Sequence, residues 1–291
     1  MQMGWDLPVS PSASSRPLVV LSHGSDGNPW QNSDLAKRLV LAGFVVAAPF
    51  HTGDSSRDHD HSTLTTWDNW RSRPKHVTAT IDVMAHSKRW QVRTDRVGVF
   101  GMSAGGHTAL TMAGGKWSPD RFRQHCNQHI REDLLICSEG RRQLKGDWLD
   151  VLRMEVTLAR VNYHMRNETL YGHVEPRVTA VVAEVPVLGE FHLQSLASSS
   201  RAIGVVQALA DQFVNPKLHS GALLRACSHC VELASVPGAG HSSLLSPVAP
   251  SALETNAPGF DRRVVADVEA KVVAFFTRNL VDGADKKGGP S

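Results

Sequence analysis

Long hydrophobic runs are missing from this chain of 291 residues. The longest nearly unbroken apolar stretch, Leu39 to Phe50, is 12 residues and contains Gly43 and Pro49, well short of the roughly 20 residues that cross a bilayer. No segment is expected to span a membrane. Met1 to Arg16 lacks the charged start and continuous apolar segment of a secretory leader. The expected location is therefore cytoplasmic, or periplasmic or secreted if an upstream signal has been removed. Charge of one sign is scarce too: Lys+Arg exceeds Asp+Glu by 31 − 28 = 3, with no dense basic run, so nothing points to a nucleic-acid partner. Cysteine is sparse. The four residues Cys126, Cys137, Cys227 and Cys230 are too few for a disulfide scaffold in a chain this long. What is present, 41% hydrophobic and 20% charged residues, describes a folded globular chain and excludes a disordered or collagen-like one.

Short β-branched runs alternate with helical patterns. Leu18 to Leu21 reads as a buried strand followed by turn residues, Gly24, Gly27, Asn28 and Pro29. Asn32 or Ser33 caps a helix carrying Leu35, Leu39 and Val40, which Gly43 ends. Phe44 to Ala48 is a second strand. Pro74 begins a helix with Val77, Ile81 and Met84 on one face, and Val97 to Phe100 is a third strand running into Gly101. This rhythm predicts a parallel α/β unit. After a small-residue helix, Ala104 to Gly114, the pattern changes. Residues 116–176 are polar and Arg-rich, with Trp148, Leu152, Val156 and Ala159 at helical spacing and no evident strand, and are read as an inserted helical cap. Strands resume at Val178 to Val182, Ala202 to Val206 and Val231 to Val236, with a helix near Pro216 to Arg225 and a last amphipathic one from Asp261 to Leu280. The expected organisation is a core over 1–115 and 177–281, a cap over 116–176 and a disordered tail over 282–291.

Gly101-Met102-Ser103-Ala104-Gly105 has the pattern G-x-S-x-G between a strand and a helix. That context suits a nucleophile: the turn is too tight for side chains near Ser103, which explains glycines at both ends, and it lifts the hydroxyl clear of the sheet. A serine hydroxyl needs a base held by an acid. Of the 15 histidines, His241 is placed best, in Pro237-Gly238-Ala239-Gly240-His241 directly after a strand. His107 lies inside a helix, and His125, His129 and His164 belong to the cap. Asp211, between the strand at 202–206 and the following helix, is the candidate acid, with Glu184 at the end of the preceding strand as the alternative. The oxyanion needs two backbone N–H groups. Ala104, at the positive end of its helix, supplies one, and Ser25 in Ser22-His23-Gly24-Ser25 is the candidate for the other. Trp30 and Met102 beside these loops are candidate pocket residues.

These segments resemble the α/β-hydrolase superfamily, and within it the branch of predicted dienelactone hydrolases and platelet-activating-factor acetylhydrolase-like serine esterases. The resemblance rests on Val19 to Gly24, Gly43 to Pro49, Val97 to Gly106, Ala210-Asp211 and Pro237 to His241, and spans about residues 18 to 245. It implies a mostly parallel sheet flanked by helices, with Ser103 as nucleophile, His241 as base, Asp211 as acid, and Ser25 and Ala104 as oxyanion donors. Dienelactone hydrolases proper use cysteine where this chain has Ser103, which favours simple ester hydrolysis. Relatives often carry one or two strands before the first seen here. Since 17 residues precede Leu18, the sheet is expected to be small or the chain shortened at that end. The expected reaction is cleavage of a fairly apolar small-molecule ester through an acyl-enzyme on Ser103, with no metal and no cofactor. Thioesterase or amidase chemistry, or ligand binding without catalysis, are the alternatives.

Two other signals carry less. His51 to His61 is rich in metal-ligand residue types, but nothing around it suggests the fixed second shell a metal needs, and it reads as a solvated loop near the site's mouth. Cys227-Ser228-His229-Cys230 has C-x-x-C spacing without a second such pair, which disfavours a four-ligand zinc site. Cys126 and Cys137 could pair in an oxidising compartment.

Overall fold

The computed structural model describes residues 15–58, 66–87, 90–248 and 259–282. In chain order the elements are β1 (Arg16–Ser22), α1 (Ser33–Leu41), β2 (Val45–Ala47), α2 (Thr66–His86), β3 (Val92–Met102), α3 (Ala104–Met112), β4 (Lys116–Trp117), α4 (Pro119–His129), α5 (Leu134–Cys137), α6 (Asp150–His164), β5 (Val178–Glu184), β6 (Phe191–His192), α7 (Leu193–Ala197), β7 (Ala202–Ala208), α8 (Ser220–Ala226), β8 (Val231–Val236) and α9 (Arg263–Phe276), which runs on into a π-helical turn at Thr277–Asp282. Six strands form one parallel sheet in the order β2-β1-β3-β5-β7-β8. Their apolar runs are buried on both faces, as a sheet covered by helices on each side requires. Leu35 and Leu39 of α1 pack with Val265, Val268 and Val272 of α9 over one face. Val77 and Ile81 of α2, Leu110 of α3 and Leu223 of α8 cover the other.

The order reverses between β1 and β3: from β1 the chain steps outward to β2, then returns to β1's other side and continues through β5, β7 and β8. Loops leaving the carboxyl ends of strands at such a switch diverge and leave a crevice. Ser22 at the end of β1 is paired with Gly101 at the end of β3, so the loop after Ser22 and the turn at Ser103 open side by side.

Several expectations need correction. Helix α2 does not begin at Pro74 but carries it inside. A proline there loses one backbone hydrogen bond, which the packing of the preceding turns offsets. The Trp67 and Trp70 rings meet at 5.0 Å, and Trp70 stacks on His107 at 4.6 Å. The 116–176 segment holds α4, α5 and α6 but opens on a strand, β4, antiparallel to β6. A two-residue strand has no readable periodicity. On α6 the apolar spacing marks the outer face. Trp148 ahead of it, and Leu152, Val156 and Tyr163 on it, are exposed, while Met154, Thr157 and Val161 are buried. The expected solvated loop is buried over part of its length: His51, Asp54 and Ser55 are inside, and 59–61 lie outside the described residues. So do 283–291, on which nearly all of the expected tail falls.

All four cysteines are bonded, Cys126 to Cys137 and Cys227 to Cys230. Beside the first bridge, Asp133 accepts hydrogen bonds from His125 Nε2 at 2.6 Å and His219 Nε2 at 2.8 Å, and the Leu188 N–H donates to His219 Nδ1. That last bond leaves the His219 proton on Nε2, where it serves Asp133 rather than a metal. The cluster ties α4 to the loops before α8 and after β5.

Glu184 alternates with Ala180 and Val182 on β5 and so faces α9. Burial, with Glu269 nearby, pushes its carboxyl up to about 8. A folded state that holds a proton the unfolded chain has released loses stability as pH rises. For Glu184 the loss begins near the ordinary value of 4.5 and is complete above about 8. Glu184→Gln is therefore expected to flatten the fall in Tm across that window and to raise Tm by several degrees at pH above 8, read by differential scanning calorimetry. Equal effects at low and high pH would contradict this.

Candidate active site

Ser103 sits at φ 56° and ψ −117° between β3 and α3, a left-handed conformation that a side chain adopts only under constraint. The constraint is backbone packed on backbone. A Cβ at Gly101 would lie 1.9 Å from the Gly105 carbonyl oxygen, and one at Gly105 would lie 1.9 Å from that of Ser22. The Ser103 N–H donates to the Glu184 carbonyl at 2.9 Å.

His241 arrives on the loop after β8. Its Nε2 is 3.0 Å from Ser103 Oγ and its Nδ1 is 2.7 Å from Asp211 Oδ2. With Nδ1 donating to the carboxylate, Nε2 is left to accept from the serine hydroxyl. The other Asp211 oxygen, Oδ1, accepts from the N–H groups of Phe213 and Val214, each at 2.8 Å. The turn role that a short acidic residue commonly fills is thus occupied together with the contact to His241. The acid and base loops are joined by Ala210 N–H to the Ala239 carbonyl at 2.9 Å. Glu184 does not reach His241, because it points through the sheet toward α9. His107 also lies elsewhere, buried behind the site and 3.0 Å from Glu190.

A cavity of about 840 Å³ opens over Ser103, lined by Gly24, Ser25, Met102, Ala104 and His241 among others. Neither Ser25 nor Ala104 gives its N–H to an acceptor among the described residues. A Cβ on Gly24 would be 3.7 Å from the Cβ of Ser103, which measures how close this turn approaches. Trp67, Trp70, Phe122, Leu135, Ile136, Val187, Phe213 and Leu245 give the wall a large apolar part, and Asp26, Gln31, Glu139, Gln212 and Ser242 add polar groups to it. Trp30, expected in that wall, does not line the cavity. It is 40% exposed, and its backbone N–H donates to Asn28 Oδ1 at 2.9 Å. Trp67 and Trp70 take the place assigned to it, and the apolar spacing ahead of Pro74 was their one signal in the sequence.

Strand order, helix placement and the positive-φ serine at the switch point decide the architecture. The chain has the α/β-hydrolase fold. Residues 7–120 match the dienelactone hydrolase family, a stretch that includes β1 to α3 and stops before Asp211 and His241. A solved ferulic acid esterase from Streptomyces cinnamoneus is similar over 97% of this chain and 70% of its own, with a TM-score of 0.52 and 18% identity. No curated protein matches the sequence. No described helix is long and apolar enough to cross a membrane.

If the contacts around Ser103 raise its reactivity, a fluorophosphonate should modify one serine, mapped to Ser103 by peptide mass spectrometry. His241→Ala should slow that labelling at least about 100-fold. An unchanged rate would mean that the imidazole contact does not activate the hydroxyl.

Proposed function

We propose that this protein is a serine esterase that cleaves carboxylic esters of apolar, bulky substrates by two-step acyl transfer. The observation that carries the reading is the continuous relay from Asp211 through His241 to Ser103 at the floor of a cavity that also holds two uncommitted N–H groups. The match of residues 7–120 to dienelactone hydrolases supports hydrolysis of an ester.

Ser103 Oγ attacks the carbonyl carbon while His241 Nε2 takes its proton. Asp211 holds the imidazole in the required tautomer and stabilises its charged form. The tetrahedral oxyanion is met by the N–H groups of Ser25 and Ala104, the second at the start of α3, where the helix dipole adds to it. Collapse expels the alcohol with the proton from His241. Water then adds to the acyl carbon as His241 takes its proton, and collapse of this second tetrahedral intermediate breaks the bond to Ser103 Oγ, releases the acid and returns the proton from His241 to Ser103. The cavity, at about 840 Å³, is in the range that encloses drug-sized ligands, and the aromatic rings of Trp67, Trp70, Phe122 and Phe213 suit a large acyl or aryl group. Residues 116–176 supply Phe122, Leu135 and Ile136 to that wall, as a cap would. Two disulfides fit an oxidising compartment, which favours the periplasmic or secreted location over the cytoplasmic one.

Ser103→Ala and Asp211→Asn are each expected to lower kcat by roughly 10⁴-fold on an aryl ester, while Glu184→Gln retains activity. Near wild-type turnover by Ser103→Ala would refute the mechanism. A series of esters, thioesters and amides with one common acyl group should rank the ester first. A higher kcat/KM on the thioester would reassign the reaction, and an unlabelled, inactive protein would be a binder.

A further inference from the structure

Asp54 and Arg73 take no part in the reaction above, yet they are among its most deeply buried ionic groups, at 2% and 0% exposure. Arg73 Nη1 is 3.0 Å from Asp54 Oδ2. The free carboxylate oxygen, Oδ1, accepts from Ser25 Oγ at 2.6 Å and from the Asp26 N–H at 3.1 Å. The other arm of the guanidinium, Nη2, donates to the His23 carbonyl. One ion pair therefore grips His23, Ser25 and Asp26, all in the turn that follows β1.

That turn needs a grip. It closes through the Gly27 N–H to the Gly24 carbonyl at 3.1 Å, and Asp26 within it stands at φ 55°, a strained conformation for a residue with a side chain. His23 is fixed by the same surroundings: the His51 N–H donates to its Nε2 at 3.3 Å, which leaves the Nδ1 proton for the Gly24 carbonyl at 2.7 Å. Burial and the neighbouring Arg73 push His23 down to about 4, so it is neutral wherever the enzyme would work. Arg73, lowered by burial to about 10, stays cationic there. The pair is net neutral and anchors the turn without setting an uncompensated negative charge beside a developing oxyanion.

We propose that the Asp54–Arg73 ion pair is a positioning device for the oxyanion turn, holding the Ser25 N–H where the tetrahedral oxyanion forms on Ser103. The inference rests on the serine-esterase reading. Donors fixed before charge develops need no reorganisation during the reaction. A small displacement of such a donor costs rate while leaving ground-state binding almost untouched.

The test uses the full chain, a p-nitrophenyl ester, a phenylboronic acid that forms a tetrahedral adduct on serine, and Tm. Asp54→Asn is expected to lower kcat by about 10- to 100-fold with KM within about twofold. The boronate Ki should rise by the same factor as kcat falls, and Arg73→Lys should fall between wild type and Asp54→Asn. Ser25→Ala removes the hydroxyl tether but keeps the backbone N–H and the ion pair. It should lower kcat several-fold at unchanged Tm and add nothing in the Asp54→Asn background, as groups acting in one chain do. A lower Tm with unchanged kcat per folded enzyme would make the pair merely structural and overturn the proposal. If Asp54→Asn fails to fold, Ser25→Ala decides, and a kcat within about twofold of wild type overturns it. Activity surviving in Ser103→Ala would instead remove the serine-esterase reading. An inactive Ser103→Ala beside a fully active Asp54→Asn removes only the positioning role.

Discussion

Around Ser103 the chain brings backbone against backbone with no room for a methyl group, at Gly101 against Gly105 and at Gly105 against Ser22. That approach joins three parts of the site. It forces the left-handed serine, starts α3 with its free N–H beside the hydroxyl, and presses the start of α3 onto the end of β1, from which the turn through Gly24 and Ser25 departs. The sheet order makes the approach possible, because β1 and β3 are neighbours whose following loops go opposite ways. A side chain at either glycine would separate the hydroxyl from the turn, whatever happened to His241 and Asp211.

The interior treats its ionic groups in two ways. Asp54 and Arg73 are buried as an ion pair, and removing one partner of such a pair costs about 3–5 kcal/mol. Glu184 has no cation close by among the described residues, and its carboxyl is instead held protonated by burial. The first arrangement fixes a turn beside the cavity. The second lies across the sheet under α9, where a neutral acid interferes least with the relay above it.

Much of the architecture could be read from residue pattern. Leu18 to Leu21, Val97 to Phe100 and Val178 to Val182 are β-branched or apolar runs of strand length, and they are buried strands. Ser103, Asp211 and His241 were legible because each stands at the end of such a run in a setting of glycine or turn residues. What was not legible depends on contacts between distant residues. Asp54 looked like one polar residue in a solvated loop, since nothing local tells that Arg73, on a helix, will be buried against it. Pro74 conceals the first turns of α2, where ring packing of Trp67 and Trp70 outweighs one lost hydrogen bond, so the sequence points to Trp30 beside its turn instead of to these two rings. On α6 the 3.6-residue period located a real apolar stripe, but a period carries no information about which stripe faces the core.

The bridge between Cys126 and Cys137 has a bearing on the selectivity of the proposed esterase. Leu135 and Ile136 of the cavity wall stand on α5, a single helical turn whose last residue is bonded to α4, and α4 contributes Phe122 to the same wall. Asp133, just before α5, is held by histidines from α4 and from the loop ahead of α8. The wall cannot recede one side chain at a time to make room for a longer group. This part of the wall is held as one block, so the esterase proposed above is expected to set a sharp size limit at this end of the cavity.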